Sequence, residues 1–329
     1  MRPAGGGTDH LGIAGRNALK NRYVNKEKNL LAYIALAAIC VVWGTTYLVL
    51  RIGVTQFPAF LFSTIRFLVA GPLLLAFVLA SGKVVWPDRK TVLNQAFCGL
   101  LMVTFGTSMV GYAEVYISSG VAAIICSMMP IWTILINLVA NKDDRPNWLI
   151  SFGLLVGLSG ILLIFREHLS EFSNPSYTWG IVVTFVANFA WAFGSFWVKK
   201  KNNHTNAFLA AGLQMLFGGL FLIPFSLLFD DYSRINWSGE IITALAYMAL
   251  VGSVGAYAAY AYTIKKLPMT IVSLYAYINP LVAVVLGWLV LDEKLNLLIV
   301  IAMIVTVGGI FLVNRGYQLR ELFKAQLSR

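Results

Sequence analysis

Ten apolar stretches, each close to the length of a bilayer crossing, constrain this chain more than any other feature. They run Leu30–Leu50, Pro58–Ala80, Leu93–Gly111, Gly120–Ala140, Trp148–Phe165, Thr178–Val198, Phe208–Phe229, Ile241–Tyr262, Val272–Leu291 and Leu297–Val313. A helix needs about 20 mostly apolar residues to cross the hydrocarbon core, where backbone groups must be satisfied internally. Charged residues make up 12% of the chain, about half of the roughly 25% in a soluble domain, too few to coat a water-facing surface. The expectation is an all-α integral membrane protein with ten transmembrane helices, its lipid partner the bilayer itself.

The loops between these spans alternate in basic content. Residues 1–29, Lys83, Arg89, Lys90, Lys142, Arg145, Lys199 to Lys201, Lys265, Lys266 and the tail from Arg315 hold 20 Lys and Arg. The opposite loops hold 4, at Arg51, Arg166, Arg234 and Lys294, while Arg66 lies inside a span. The positive-inside bias therefore places both termini in the cytoplasm, for a multi-pass protein of the cytoplasmic (inner) membrane. The same alternation accounts for the net charge of +11, so no nucleic-acid partner is expected. Residues 1–29 read as a flexible cytoplasmic arm, with no apolar region and cleavage site ahead of the first span. Cys40, Cys98 and Cys126 fall in apolar runs without metal-ligand spacing and read as small buried hydrophobes. No metal site and no cofactor is expected.

The spans repeat. Trp43 to Arg51 (WGTTYLVLR) matches Trp191 to Lys199 (WAFGSFWVK) at an offset of 148, and at that offset Arg66 falls on Gln214. At an offset of 150 Tyr112 meets Tyr262, Pro130 meets Pro280 and Asp143 meets Glu293. The chain divides into an arm (1–29), a first five-span repeat (30–165), an external linker (166–177), a second five-span repeat (178–313) and a cytoplasmic tail (314–329). An odd number of spans per repeat forces the halves to insert upside down relative to each other, the plan of many secondary transporters. Proline inside a helix removes one hydrogen bond and clashes with the preceding turn. The helices carrying Pro130 and Pro280 are thus expected to be kinked or broken, with the breaks facing each other.

Trp43-Gly44 in the first span, Arg66-Phe67 in the second, and the proline-to-acidic endings of the fourth and ninth form an ordered set. With these marks the chain resembles the EamA family of the drug/metabolite transporter superfamily, over about Leu30 to Asn314. It departs from that pattern at Asn141-Lys142-Asp143-Asp144-Arg145, where the family usually has Gly-Glu-Arg, and at Ala192, which follows Trp191 in place of glycine. The resemblance implies two inverted five-helix repeats, with spans one, three, four, six, eight and nine around a central cavity. It also implies a secondary transporter, usually an exporter of amino acids, small metabolites or amphipathic drugs by alternating access. A membrane scaffold or channel-like protein is the alternative if the interior is fully packed. An intramembrane enzyme would need clustered nucleophile, base or metal ligands within the spans, and no such cluster is written there.

Ionisable groups inside a bilayer are costly and mark function. Arg66 and Glu114 are the candidates for gating or coupling, Glu114 as the link to a proton gradient. They lie at similar depth and could pair, with Arg51 as a rival partner for Glu114; the plainer role for Arg66 is to snorkel or brace helix ends. Substrate-binding candidates follow from helical spacing: Trp43 and Tyr47; Asn188 and Trp191; Tyr257 and Tyr260; Tyr275, Tyr277 and Asn279. An apolar pocket with a few placed polar groups suits a small-molecule substrate with an amphipathic body. The glycines at 153, 157, 160, 218 and 219 read as helix-packing positions, and Asp143 and Glu293 as helix-end ion pairs with Lys142 and Lys294.

Overall fold

A computed structural model describes residues 9–82, 84–140, 147–167, 173–201, 205–267, 272 and 275–327. The elements are α1 (Asp9–Gln56), α2 (Ala59–Ala80), α3 (Arg89–Ala113), α4 (Ser119–Cys126), α5 (Met129–Ala140), α6 (Trp148–Glu167), α7 (Pro175–Lys201) and α8 (Ala207–Phe229). After a short 3₁₀ turn come α9, built of Gly239–Tyr247, Met248–Gly255 and Ala256–Lys266, then α10 (Tyr275–Leu291) and α11 (Leu297–Leu327). The described residues contain no strand. Among them, 7 helices are long and apolar enough to cross a membrane. Shorter apolar helices at Ser119–Thr133, Trp148–Gly160 and Ile278–Leu291 fall on the fourth, fifth and ninth expected spans.

Three features depart from the sequence expectation. First, α1 begins at Asp9, so the basic stretch expected as a flexible arm continues helically into the first span. Second, Pro280 does not break its helix, because α10 runs unbroken from Tyr275 to Leu291. Beside it an asparagine ties α10 to α1. With its amide oriented to satisfy its neighbours, Asn279 Nδ2 donates to the Tyr275 carbonyl at 3.0 Å and to the Cys40 carbonyl of α1 at 2.9 Å. In the first repeat the helix is interrupted at Ser127 and Met128, and α5 restarts at Met129. Pro130 thus sits in a first turn, where its missing N–H costs nothing. The side chains of Pro130 and Tyr277 lie outside the described residues.

Third, α3 and α9 each change winding midway. Leu100–Ser108 and Met248–Gly255 are π-wound, and these stretches start 148 residues apart, the offset that brings Trp43 onto Trp191. A wider turn of this kind re-aims the side chains that follow it and is common at functional sites. Both stretches precede cavity residues, Val110 on α3 and Tyr257 on α9.

Glycine decides how the helices pair. A Cβ on Gly153 would lie 2.6 Å from the Val313 nitrogen, and one on Gly160 2.6 Å from the Thr306 nitrogen, so α6 and α11 touch through their backbones. Between α2 and α8 the same holds for Gly71, whose Cβ would stand 2.6 Å from the Leu216 nitrogen. Backbone approach of this kind supplies helix association in lipid, where apolar side chains gain little by leaving the acyl chains. The adjacent pair Gly308 and Gly309 separates packing from propensity. A Cβ on Gly309 would be 2.2 Å from the Gly157 nitrogen, whereas one on Gly308 meets nothing within 4 Å. Gly309→Ala should therefore lower stability by about 1–3 kcal/mol, read as a drop in melting temperature in detergent, while Gly308→Ala leaves it unchanged or raised.

Candidate functional site

The repeats meet around a cavity of about 120 Å³. Its centre follows from the repeat itself. Trp43 of α1 and Trp191 of α7 are equivalent residues, and their rings meet edge to face with centroids 6.2 Å apart. Trp43 is also packed against Tyr257 (6.0 Å), Tyr260 (5.0 Å) and Tyr275 (5.1 Å). Edge-to-face pairs at such spacings stabilise beyond the burial of their area, so these rings form one wall as a unit.

Of the residues expected to bind substrate, Trp43, Tyr47, Asn188, Trp191, Tyr257, Tyr275 and Asn279 line the cavity. Tyr260 does not; it stands behind Trp43 and Tyr275 as a second layer. The two asparagines have their amides engaged with backbone. Asn188 donates to the Ile125 carbonyl at 2.8 Å, just ahead of the interruption in the α4–α5 pair, and Asn279 bridges Cys40 and Tyr275. The Ile125 and Tyr275 carbonyls match at offset 150, but their donors do not: Asn188 falls on Cys40 and Asn279 on Met129, so each repeat braces the same position with a different asparagine. Bracing an irregular helix against its neighbour is what buried backbone carbonyls require.

Sequence spacing left out Thr46, Leu50, Thr107, Val110, Cys126 and Met129, which also line the cavity. Thr46 and Leu50 extend the Trp43–Tyr47 face by helical period, so that stripe was available to be read. Cys126 was expected as a buried hydrophobe, but it is half-buried on the cavity wall within reach of Tyr47. Its position depends on the interruption after it, which apolar residues alone do not signal. Cys40 and Cys98 are buried as expected.

Two buried ions give the site its electrostatics. Arg66 is 3% exposed, lines the cavity and donates from Nε to Ser253 Oγ at 2.8 Å, with its guanidinium over the Phe67 ring at 4.6 Å. Burial rules out snorkelling to an interface. Its repeat mate Gln214 instead donates to Gln95 at 2.7 Å, away from the cavity. Glu114 is 0% exposed and neither carboxylate oxygen has a hydrogen-bond partner. Arg51, Arg66 and Glu293 are within its electrostatic reach, as are Tyr47 and Cys126 of the cavity wall. The expected Glu114 pairings with Arg66 and Arg51 are absent from the described hydrogen bonds: Arg51 donates to the Ile117 carbonyl at 3.0 Å instead. Tyr257 and Tyr260 also bury their hydroxyls, beside Thr107 and beside Ser195 and Tyr275 respectively. Among the described residues no group of three His, Cys, Asp or Glu could hold a metal ion.

Both halves of the chain, residues 30–166 and 178–315, match the EamA-like transporter family. The chain belongs to that family. It is 34% identical over 294 residues to the "Uncharacterized inner membrane transporter YedA" of Escherichia coli (strain K12), covering 89% of this chain and 92% of that one. An "Uncharacterized transporter" of Archaeoglobus fulgidus is 27% identical over 86% of this chain and 97% of its own. A solved crystal structure superposes with a TM-score of 0.63 at 17% identity, covering 85% of this chain and 95% of that one, a likeness of fold. The EamA-like pattern accounts for the two matched repeats and for a multi-pass membrane protein of transporter type.

The aromatic wall makes a paired prediction. Trp43→Ala removes the ring on which four others pack and should destabilise by about 3–5 kcal/mol. Tyr260→Phe keeps the ring and deletes only a hydroxyl beside Ser195 and Tyr275, and should cost no more than about 1.5 kcal/mol.

Proposed function

We propose that this chain is a secondary transporter that exports small amphipathic molecules bearing a carboxylate, amino acids among them, across the cytoplasmic membrane by alternating access. In this reading ten spans form two inverted repeats with both termini in the cytoplasm. The carrying observation is Arg66, a buried guanidinium on the wall of a cavity that also has an aromatic wall. Of its five donors, the described hydrogen bonds use one, from Nε to Ser253. The rest are left for an anionic group, while Trp43, Trp191 and Tyr257 supply flat apolar surface for the body of the substrate. A volume of about 120 Å³ is below the roughly 300–1,000 Å³ of drug-sized pockets, which favours metabolites over large drugs. The cavity itself weighs against a scaffold with a fully packed interior.

Glu114 supplies the coupling in this reading. A carboxylate buried without hydrogen bonds is disfavoured as an anion. Taking up a proton removes that cost, so Glu114 carries the proton exchanged for substrate, and its proximity to Arg66 links the two events.

Efflux of labelled amino acids and small carboxylates from proteoliposomes, with and without an imposed pH gradient, tests both roles. Arg66→Gln should weaken apparent affinity for carboxylate substrates by about tenfold to a hundredfold, the range expected for a hydrogen bond to a charged group. Glu114→Gln should retain exchange of substrate for substrate and lose acceleration by the gradient. Unchanged gradient dependence in Glu114→Gln removes it as the proton site, and transport of amines in preference to carboxylates overturns the role of Arg66.

A further inference from the structure

Glu293, expected to pair with its neighbour Lys294, instead crosses to the other repeat. Helix α10 ends at Leu291, and Asp292, with φ of 51°, turns the chain back. The Glu293 N–H then donates to the Gly287 carbonyl at 3.2 Å, and the carboxylate reaches the first turn of α4. Oε1 accepts from the Ser119 backbone N–H at 2.8 Å and from Ser119 Oγ at 2.9 Å. Oε2 accepts from Ser119 Oγ at 2.9 Å and from the Gly120 N–H at 3.3 Å. Space for it is built in: a Cβ on Gly287 would stand 2.3 Å from Oε2. Charge-assisted bonds to a helix N-terminus are among the stronger polar contacts.

The position matters as much as the bonds. Cys126 and the interruption after it lie at one end of α4, and Tyr275 and Asn279 of α10 face the same cavity. Beside the carboxylate, Ile117, Val121 and Val284 belong to one buried apolar cluster, with Val284 against Gly120. Among the described residues, the contact of α10 with this broken helix is concentrated on α4 and not on α5. Opening this end by parting α4 from α10 would break the bonds of Glu293. By contrast, the similar cap of Asp230 on the Phe60 and Leu61 N–H groups, at 3.1 and 2.6 Å, joins α2 to α8, which are already fused through glycine contacts.

We propose that Glu293 is the latch of the external gate, holding α4 and α10 together in the state described and releasing when the cavity opens outward. This rests on the transporter reading and its orientation. Cys126 is a native reporter, since it lines the cavity while Cys40 and Cys98 are buried. A membrane-impermeant thiol reagent is applied to right-side-out and inside-out vesicles, with Cys126→Ser as the background.

Glu293→Gln keeps the side-chain shape but loses the charge, and should raise the rate of Cys126 labelling from outside by roughly tenfold. Gly287→Ala, which displaces the carboxylate with every charge kept, should do the same, so a folding failure of one variant leaves the other. A merely structural role would lower the melting temperature and leave the sidedness of labelling unchanged. Unchanged labelling from both sides in a folded variant overturns the latch. An increase confined to inside-out vesicles keeps the latch and overturns the orientation. Because labelling needs no substrate, these outcomes stand apart from failure to find a transported solute.

Discussion

A helix end or helix interruption within a bilayer has no water to pair its amides and carbonyls, and most of what is distinctive in this fold answers that constraint. At one end of the bundle the answer comes from the opposite repeat. Asp230 caps the start of α2 and Glu293 caps the start of α4. Deeper in, Asn188 and Asn279 serve carbonyls of Ile125, Tyr275 and Cys40 beside the cavity. Besides the glycine contacts and the aromatic wall, the two repeats are thus joined by satisfying each other's irregular backbone. Such contacts hold only while the partner helices stay in register.

The same constraint shapes the cavity. Once the helix carrying Ser127 and Met128 is interrupted, Cys126 and Met129 are presented to the interior, and the π-wound stretches of α3 and α9 turn Val110 and Tyr257 toward it. The space left is bounded by the paired tryptophans at the repeat axis and by Arg66. Gln214, the repeat mate of Arg66, pairs with Gln95 away from the cavity, so the duplication has diverged where chemistry is needed. A symmetric frame thus carries an asymmetric site, with one cation on one wall and a buried carboxyl near it.

Much of this was legible in the sequence. The spans follow from hydropathy, and the repeat follows from Trp43 with Trp191 and Pro130 with Pro280. The cavity residues on α1, α7, α9 and α10 follow from helical spacing combined with the family resemblance. What was not legible turned on long-range geometry. The partner of Glu293 lies 174 residues away, so the local Glu293–Lys294 adjacency misled. Pro280 was expected to kink or break its helix because a proline removes a bond, yet α10 runs unbroken through it. The π-wound stretches have no compositional signature, and Cys126 looks like any buried thiol until the interruption after it is known. Tyr260 has the spacing of a cavity residue, yet a larger ring stands in front of it.

The central claim is that the cavity between the repeats is where the transported molecule sits. The most direct measurement is alkylation of Cys126 in reconstituted protein as a function of the concentration of a transported solute. The account predicts that the solute slows alkylation with the same half-saturation that it shows in transport, and that Arg66→Gln shifts both together. A solute that is transported at saturating concentration while Cys126 reacts at its unprotected rate would contradict it.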